Sequence, residues 1–350
     1  MWVIFLENHP HDTSFSEKRA RDNKKKLTIA IDEVQQIPSI LNTVQSLIDD
    51  NKQYKFYLTG SSARKLRRGQ ANLLPGRILP FSLFPINYWE LKNSQTDFEL
   101  KQILIGGCLP EVLLDKKEGL SILEAYSTIY LREEIQGEAL TKNLGSYARF
   151  LDLAAETSGQ FINYAKLASD SEISKETIRR YFQILEDTLI IHRIESFTAL
   201  SNKRKARQTD RYIFFDIGVR NALLNKTRSE FTATELGPLF EQWVILQIIS
   251  YNHYFKKNWK ILSYRDDRNL EIDLIIDTGM EIHAVEIKYQ KKFRDDFVSN
   301  INEFAELYKG KKILKKHIVY IGEVTQKTKS SVTISPYDHF FSEIIPNIKN

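Results

Sequence analysis

The chain has 350 residues, of which 42% are hydrophobic and 11% aromatic, so it is long enough for two or three domains with buried cores. Its 50 Lys and Arg against 45 Asp and Glu give a net charge of +5, which permits nucleic-acid binding without requiring it. The single cysteine, Cys108, excludes an internal disulfide and a cysteine-based zinc site. No apolar run reaches the ~18 residues of a membrane span. We therefore expect a cytoplasmic protein that does not bind a membrane.

The first part of the chain reads as α/β. The apolar start, MWVIFL, lacks the basic flank of a signal peptide and is interpreted as a strand or a frayed terminus. LTIAID predicts a buried strand, SILNTVQSLIDD has helical spacing, and YKFYLTGSS predicts a second strand. ILPFSLFPINYWEL carries Pro80 and Pro85 and is therefore expected to be extended.

Polar residues follow both of these strands. Asp32 and Glu33 end the first, where such acids can coordinate Mg²⁺ and polarise a water beside a γ-phosphate. Thr59 and Ser61 end the second, where a hydroxyl can sense the phosphate. Arg77 lies on a Pro-Gly turn, from which a guanidinium could reach a nucleotide across a subunit boundary.

Three segments, AIDEVQQIP, FYLTGSSARKL and LLPGRILPFSLFPINYWEL, resemble the prokaryotic AAA-type P-loop ATPases in order and spacing. The resemblance implies that residues 1–95 form a partial P-loop ATPase sheet. In that family Asp32 and Glu33 would be the second nucleotide-binding motif, Thr59 or Ser61 the sensor, and Arg77 an arginine-finger candidate.

This sequence lacks one motif of that family, the phosphate-binding loop. No G-x-x-x-x-G-K-[ST] occurs in the sequence, so nothing in it cradles the β- and γ-phosphates. We predict no ATP hydrolysis by this chain alone, and ATP binding only if such a loop is supplied elsewhere. Two alternatives stay open: the two acids now only cap a strand, or the chain is an N-terminally shortened form of a working ATPase.

Residues 96–230 have a helical pattern that ends in three helices and a strand hairpin, the order of a winged helix. Basic residues lie on the third helix and at the expected wing. They are Lys175, Arg179, Arg180, Lys203, Arg204, Lys205, Arg207 and Arg211. In a winged helix these elements face DNA, whereas the alternative is a solubilising hairpin.

Residues 231–350 predict an αβββαβ order. A hairpin over the TGM turn would set Asp273 beside Glu286, and Glu286 and Lys288 share a strand face because side chains repeat every two residues. Paired carboxylates repel unless a cation joins them, and their hard oxygens suit Mg²⁺. Lys288 could orient or deprotonate a water, and Glu241 on the preceding helix can reach the same site.

This pattern looks like the PD-(D/E)xK, or restriction-endonuclease-like, core, which also follows the AAA module in the family above. The resemblance implies Asp273, Glu286, Lys288 and Glu241 as catalytic residues, with the three acids as Mg²⁺ ligands, and metal-assisted hydrolysis of DNA. The alternatives are a Lys288–Glu286 pair on a solvated edge, or a catalytically silent module that binds nucleic acid or protein. A homo-oligomer or a protein partner is left open.

Overall fold

The computed structural model describes residues 2–7, 27–32, 34, 37, 39–49, 54–60, 79–94, 98–115, 117–127, 144–198 and 209–349. The chain is mixed α/β, as its sequence predicts, and it divides into two compact units. The first comprises Met1–Phe84 with Gln183–Ile190, and the second comprises Pro85–Phe182 with Ile191–Asn350. None of the helices in the described ranges is long and apolar enough to span a membrane.

The first unit contains a mixed sheet and a helix. Its strands are β1 (Trp2–Glu7), β2 (Leu27–Ile31), β3 (Tyr54–Gly60) and β4 (Leu79–Ser82), and its helix is α1 (Ile40–Asp49). The strand order is β2-β3-β1-β4, with β2 and β3 parallel and β1 antiparallel to both of its neighbours. The predicted strands are therefore present, while the P-loop fold of this sheet stays a prediction.

Side-chain periodicity explains how this sheet is covered. Strand β3 alternates buried and half-buried residues, as expected for a sheet with one face in the core. Helix α1 buries one stripe of apolar side chains at helical spacing. The shared core contains Val34, Leu41, Val44, Leu47, Ile48, Tyr54, Phe56 and Leu58.

The second unit begins with four short helices. They are α2 (Tyr88–Asn93), α3 (Leu100–Gly106), α4 (Pro110–Leu114) and α5 (Gly119–Ala125). The segment GGCLPEVLL forms the predicted turn and helix start, because Gly107 has φ +77° and Pro110 opens α4. A Cβ atom at Gly107 would lie 2.1 Å from an oxygen of Asp216, so the turn requires glycine.

Three helices and an antiparallel hairpin follow in the predicted order. They are α6 (Leu144–Glu156), α7 (Tyr164–Ser171), α8 (Lys175–Asp187), β5 (Ile191–Ser196) and β6 (Arg211–Phe214), and then α9 (Ile217–Leu223). Ser174 caps α8, as expected, by accepting the N–H of Thr177 at 3.2 Å. The winged-helix fold itself stays a prediction.

The C-terminal region has the predicted αβββαβ order. Its elements are α10 (Ala233–Tyr254), β7 (Lys260–Arg265), β8 (Glu271–Asp277), β9 (Glu281–Lys288), α11 (Ser299–Leu307) and β10 (Ile313–Tyr320), followed by β11 (Gln326–Lys327), β12 (Val332–Pro336) and a helical end over Tyr337–His339 and Phe340–Ile344. The restriction-endonuclease-like assignment stays a prediction.

One eight-stranded sheet joins the hairpin to the C-terminal region. Its order is β11-β12-β10-β9-β8-β7-β5-β6. The link is the parallel pairing of β5 with β7, in which Glu195 lies opposite Leu262 and Ser196 opposite Ser263. Because strand β9 is buried along most of its length, its side chains enter two separate cores, one shared with α10 and the other with α11.

Candidate active site

The candidate active site lies on the β8–β9 hairpin. The two strands are antiparallel and are joined by the predicted TGM turn, in which Gly279 has φ +90° and Thr278 donates its N–H to the carbonyl of Glu281 at 3.1 Å. The register pairs Leu274 with Val285. The next position along this ladder therefore sets Asp273 beside Glu286.

The structure brings Asp273, Glu286 and Lys288 together. The Nζ atom of Lys288 lies 2.5 Å from Oε2 of Glu286 and 3.5 Å from Oδ2 of Asp273. The backbone N–H of Ile287 also donates to Oδ2 of Asp273 at 2.8 Å, which fixes the orientation of that carboxylate. Glu286 is only 2% exposed, so its charge depends on these neighbours rather than on water.

Neighbouring charges shift the pKa values of Glu286 and Lys288. Burial raises the pKa of Glu286 to about 8, with the nearby Asp273 charge acting in the same direction and Lys288 opposing it. Burial works against the charge of Lys288, but Asp273 and Glu286 outweigh it and raise the lysine pKa above its ordinary value. The role of Lys288 in orienting or deprotonating a water stays a prediction.

Glu241 on α10 approaches the same cluster but is bound by an arginine. Arg211 on β6 forms an ion pair with Glu241. Its guanidinium also donates to the carbonyl of Gly159 at 2.7 Å and to the carbonyl of Asp273 at 2.9 Å. Burial raises the pKa of Glu241, and the nearby charge of Asp273 acts in the same direction. Arg211 opposes them, but the net shift of the pKa is upward.

The position of Arg211 corrects one expectation. The sequence grouped it with the exposed cations of the wing, yet it is only 4% exposed and begins the fully buried strand β6. The apolar run RYIFF, in which the arginine precedes four hydrophobic residues, is the sequence signal for this burial. Its partners could not be read from the run, because they lie on other elements.

Two observations bear on whether the acids fit a magnesium ion. Oε1 of Glu286 is buried and has no hydrogen-bond partner, which suits a carboxylate that binds a cation with its second oxygen. Against this, the described residues contain no group of three or more His, Cys, Asp and Glu side chains placed to hold one metal ion. The roles of Asp273, Glu286 and Glu241 as Mg²⁺ ligands therefore stay a prediction.

In the first unit, two of the predicted nucleotide-facing residues are in contact. The hydroxyl of Thr59 donates to Oδ1 of Asp32, as expected for the ends of two adjacent parallel strands. The other three predicted residues, Glu33, Ser61 and Arg77, lie outside the described residues.

The predicted DNA-facing cations are described only in part. Lys175, Arg179 and Arg180 are exposed on α8. The wing residues Lys203, Arg204, Lys205 and Arg207 lie outside the described residues. DNA binding by either set stays a prediction.

Comparison with known proteins finds three family matches along the chain. Residues 5–92 match an AAA domain, residues 97–230 match a domain of unknown function, DUF8612, and residues 236–340 match another, DUF4143. An uncharacterized protein of Mycobacterium tuberculosis is 23% identical, over 90% of this chain and 69% of its own length. An uncharacterized protein of Methanocaldococcus jannaschii is 24% identical, over 94% of this chain and 75% of its own. The AAA-domain match, with the DUF4143 match behind it, supports an AAA-type ATPase-like family for this chain.

Proposed function

We propose that this AAA-type protein hydrolyses phosphodiester bonds of DNA with its C-terminal region, in a magnesium-dependent reaction. The observation that carries the proposal is the contact of Lys288 with both Asp273 and Glu286 on one hairpin. Two acids and a lysine, held together in a largely buried position, have the chemistry that phosphodiester hydrolysis requires.

Each of the three residues has a separate role in the proposal. Asp273 and Glu286 would hold Mg²⁺, which when bound polarises the phosphate and acidifies a water. Asp273 is already oriented by the Ile287 N–H, so it needs little rearrangement to present an oxygen. Lys288, which contacts both acids, would supply a positive charge beside the developing negative charge of the phosphate.

The test is cleavage of DNA by the purified full chain with Mg²⁺ or with EDTA. We expect cutting with Mg²⁺ only, and a loss of about 100-fold or more in Lys288→Ala, because the removed cation stabilises the transition state. Lys260→Ala, which truncates an exposed lysine of the same sheet, is the matched control and should cut normally. Equal cutting by the Lys288 and Lys260 variants would remove the proposal.

A second candidate is a silent nuclease-like module that binds DNA without cutting it. The specific observation in its favour is the Arg211–Glu241 ion pair, which occupies one of the three predicted metal ligands with a protein cation. This candidate predicts salt-sensitive DNA binding, no cleavage under any metal condition, and unchanged binding in Asp273→Ala. The cleavage assay above therefore separates the two candidates.

For the N-terminal region we propose a nucleotide-facing role without independent ATP hydrolysis. The Asp32–Thr59 contact supports a polar edge where β2 and β3 end. The absence of G-x-x-x-x-G-K-[ST] from the sequence leaves the phosphates without their usual backbone cradle and lysine. ATP would accordingly be a ligand only where that loop is supplied elsewhere.

A further inference from the structure

Two cavities in the second unit share part of their walls. The first, of about 490 Å³, lies against Arg211, Glu241 and Asp273. The second, of about 400 Å³, is bounded by residues of α7 and α8. Phe161 and Arg265 line both cavities, so the two lie side by side and lead from the third helix of the bundle toward the candidate active site.

Cations and aromatic rings alternate along these walls. The guanidinium of Arg179 lies 5.0 Å from the ring centre of Tyr164. The guanidinium of Arg265 lies 5.4 Å from the ring centre of Phe161, and that of Arg211 lies 5.3 Å from the same ring. Aromatic rings interleaved with cations are the features with which proteins hold unpaired nucleic-acid strands.

The third helix contributes two of the positive charges. Lys175 and Arg179 are four positions apart on α8, so they share one helix face, and both line the second cavity. Their side chains are exposed and can therefore reach a phosphate without a change in the core. The first cavity is lined by both signs of charge, so the excess of positive charge lies in the second cavity. The lining of the first contains Arg211, Arg220, Lys226 and Arg265 together with Glu156, Glu235, Glu241, Glu271 and Asp273.

The size of the cavities indicates which form of nucleic acid fits. Each has the volume of a small-ligand pocket, which has room for about one nucleotide and not for a base pair. We propose that the two cavities form the path along which a single DNA strand reaches the candidate active site at Glu241 and Asp273, which line the first cavity. The chemistry at the end of this path rests on the proposed function, whereas the path itself rests on the cavities.

Two exposed cations allow a sharp test of this path. Arg179 on α8 lines the second cavity, whereas Lys166 on α7 is exposed beside that cavity and does not line it. If the strand is held only by general electrostatic attraction, both substitutions, Arg179→Ala and Lys166→Ala, will weaken binding by the same factor, because each removes one positive charge. If the strand follows a defined path, Arg179→Ala will weaken binding and the control substitution will not.

The experiment measures the Kd of a fluorescent single-stranded oligonucleotide for the full chain by anisotropy, in EDTA so that no cutting occurs. We expect Arg179→Ala to weaken binding by about fivefold or more and to lower the salt slope by about one. Lys166→Ala, which removes an exposed cation outside the predicted DNA-facing set, should stay within about twofold. Lys175→Ala is a second variant at the same cavity and should resemble Arg179→Ala, and thermal melting checks that each variant is folded.

Each result bears on one proposal at a time. Equal losses in Arg179→Ala and Lys166→Ala, an equal effect of Arg179→Ala on duplex DNA, or no binding of the single strand would overturn the path. Selective loss in Arg179→Ala with no cleavage by the unaltered chain in Mg²⁺ would support the path and overturn the hydrolysis. Cleavage by the unaltered chain together with equal losses of affinity in the two variants would support the hydrolysis and overturn the path.

Discussion

At the scale of the residue, Asp216 ties the turn before α4 to the start of α9. Its carboxylate accepts the N–H of Cys108 at 2.7 Å and that of Val219 at 3.0 Å. Asp216→Ala would remove the helix cap and leave the buried N–H of Cys108 without an acceptor, so we expect a loss of about 2–4 kcal/mol in the free energy of unfolding. Urea denaturation measures it. Asp170→Ala, at an exposed position of α7, should change stability by less than about 0.5 kcal/mol.

The same carboxylate predicts a dependence of stability on pH. Burial raises the pKa of Asp216 from 3.8 to about 6, although the N–H groups of Cys108, Val219 and Gly218 act against the shift. The folded state thus holds this proton more tightly than the unfolded state, and the stability that it contributes is lost as pH rises from about 4 to 6. Relative to Asp216→Asn, which does not titrate, the natural chain should lose at most about 3 kcal/mol across this window. A constant difference between the two curves would contradict the assignment.

At the scale of the element, helix α10 begins with a capping box. Thr232 accepts the N–H of Glu235 at 3.3 Å, and Glu235 accepts the N–H of Thr232 at 3.0 Å. Thr232→Ala should lower the stability of the protein by about 1 kcal/mol and speed hydrogen exchange in the first turns of α10, which lead to Glu241. Thr234→Ala truncates an exposed threonine of the same turn that does not cap the helix, and it should leave the exchange rates unchanged.

At the scale of the whole molecule, the eight-stranded sheet makes the C-terminal region dependent on the hairpin. A fragment of residues 231–350 would expose the edge of β7 that pairs with β5, and it would leave Glu241 without Arg211. We expect this fragment to aggregate or dimerise in size-exclusion chromatography, whereas residues 85–350 should remain monodisperse. A soluble and cooperative 231–350 fragment would show that β5 and β6 are dispensable.

The separation along the chain between interacting residues explains which of these features could be predicted. The β8–β9 hairpin and its Asp273, Glu286 and Lys288 follow from period-two alternation and a glycine turn, and these three residues lie within 15 positions of one another. Arg211 could not be assigned in this way, because its partners lie 30 to 62 positions away along the chain. The β5–β7 pairing escaped prediction for the same reason, since nothing local to either strand specifies a parallel neighbour.

The lone thiol of the chain also makes site-specific labelling simple. Cys108 is buried, and its burial raises the pKa of the thiol well above the ordinary value, so it reacts slowly with maleimides. Because no other cysteine occurs, an introduced one at an exposed site, such as Arg180→Cys, would be the single fast-reacting thiol without removal of Cys108. A dye attached there, beside and not within the wall of the second cavity, would report the arrival of a DNA strand in real time.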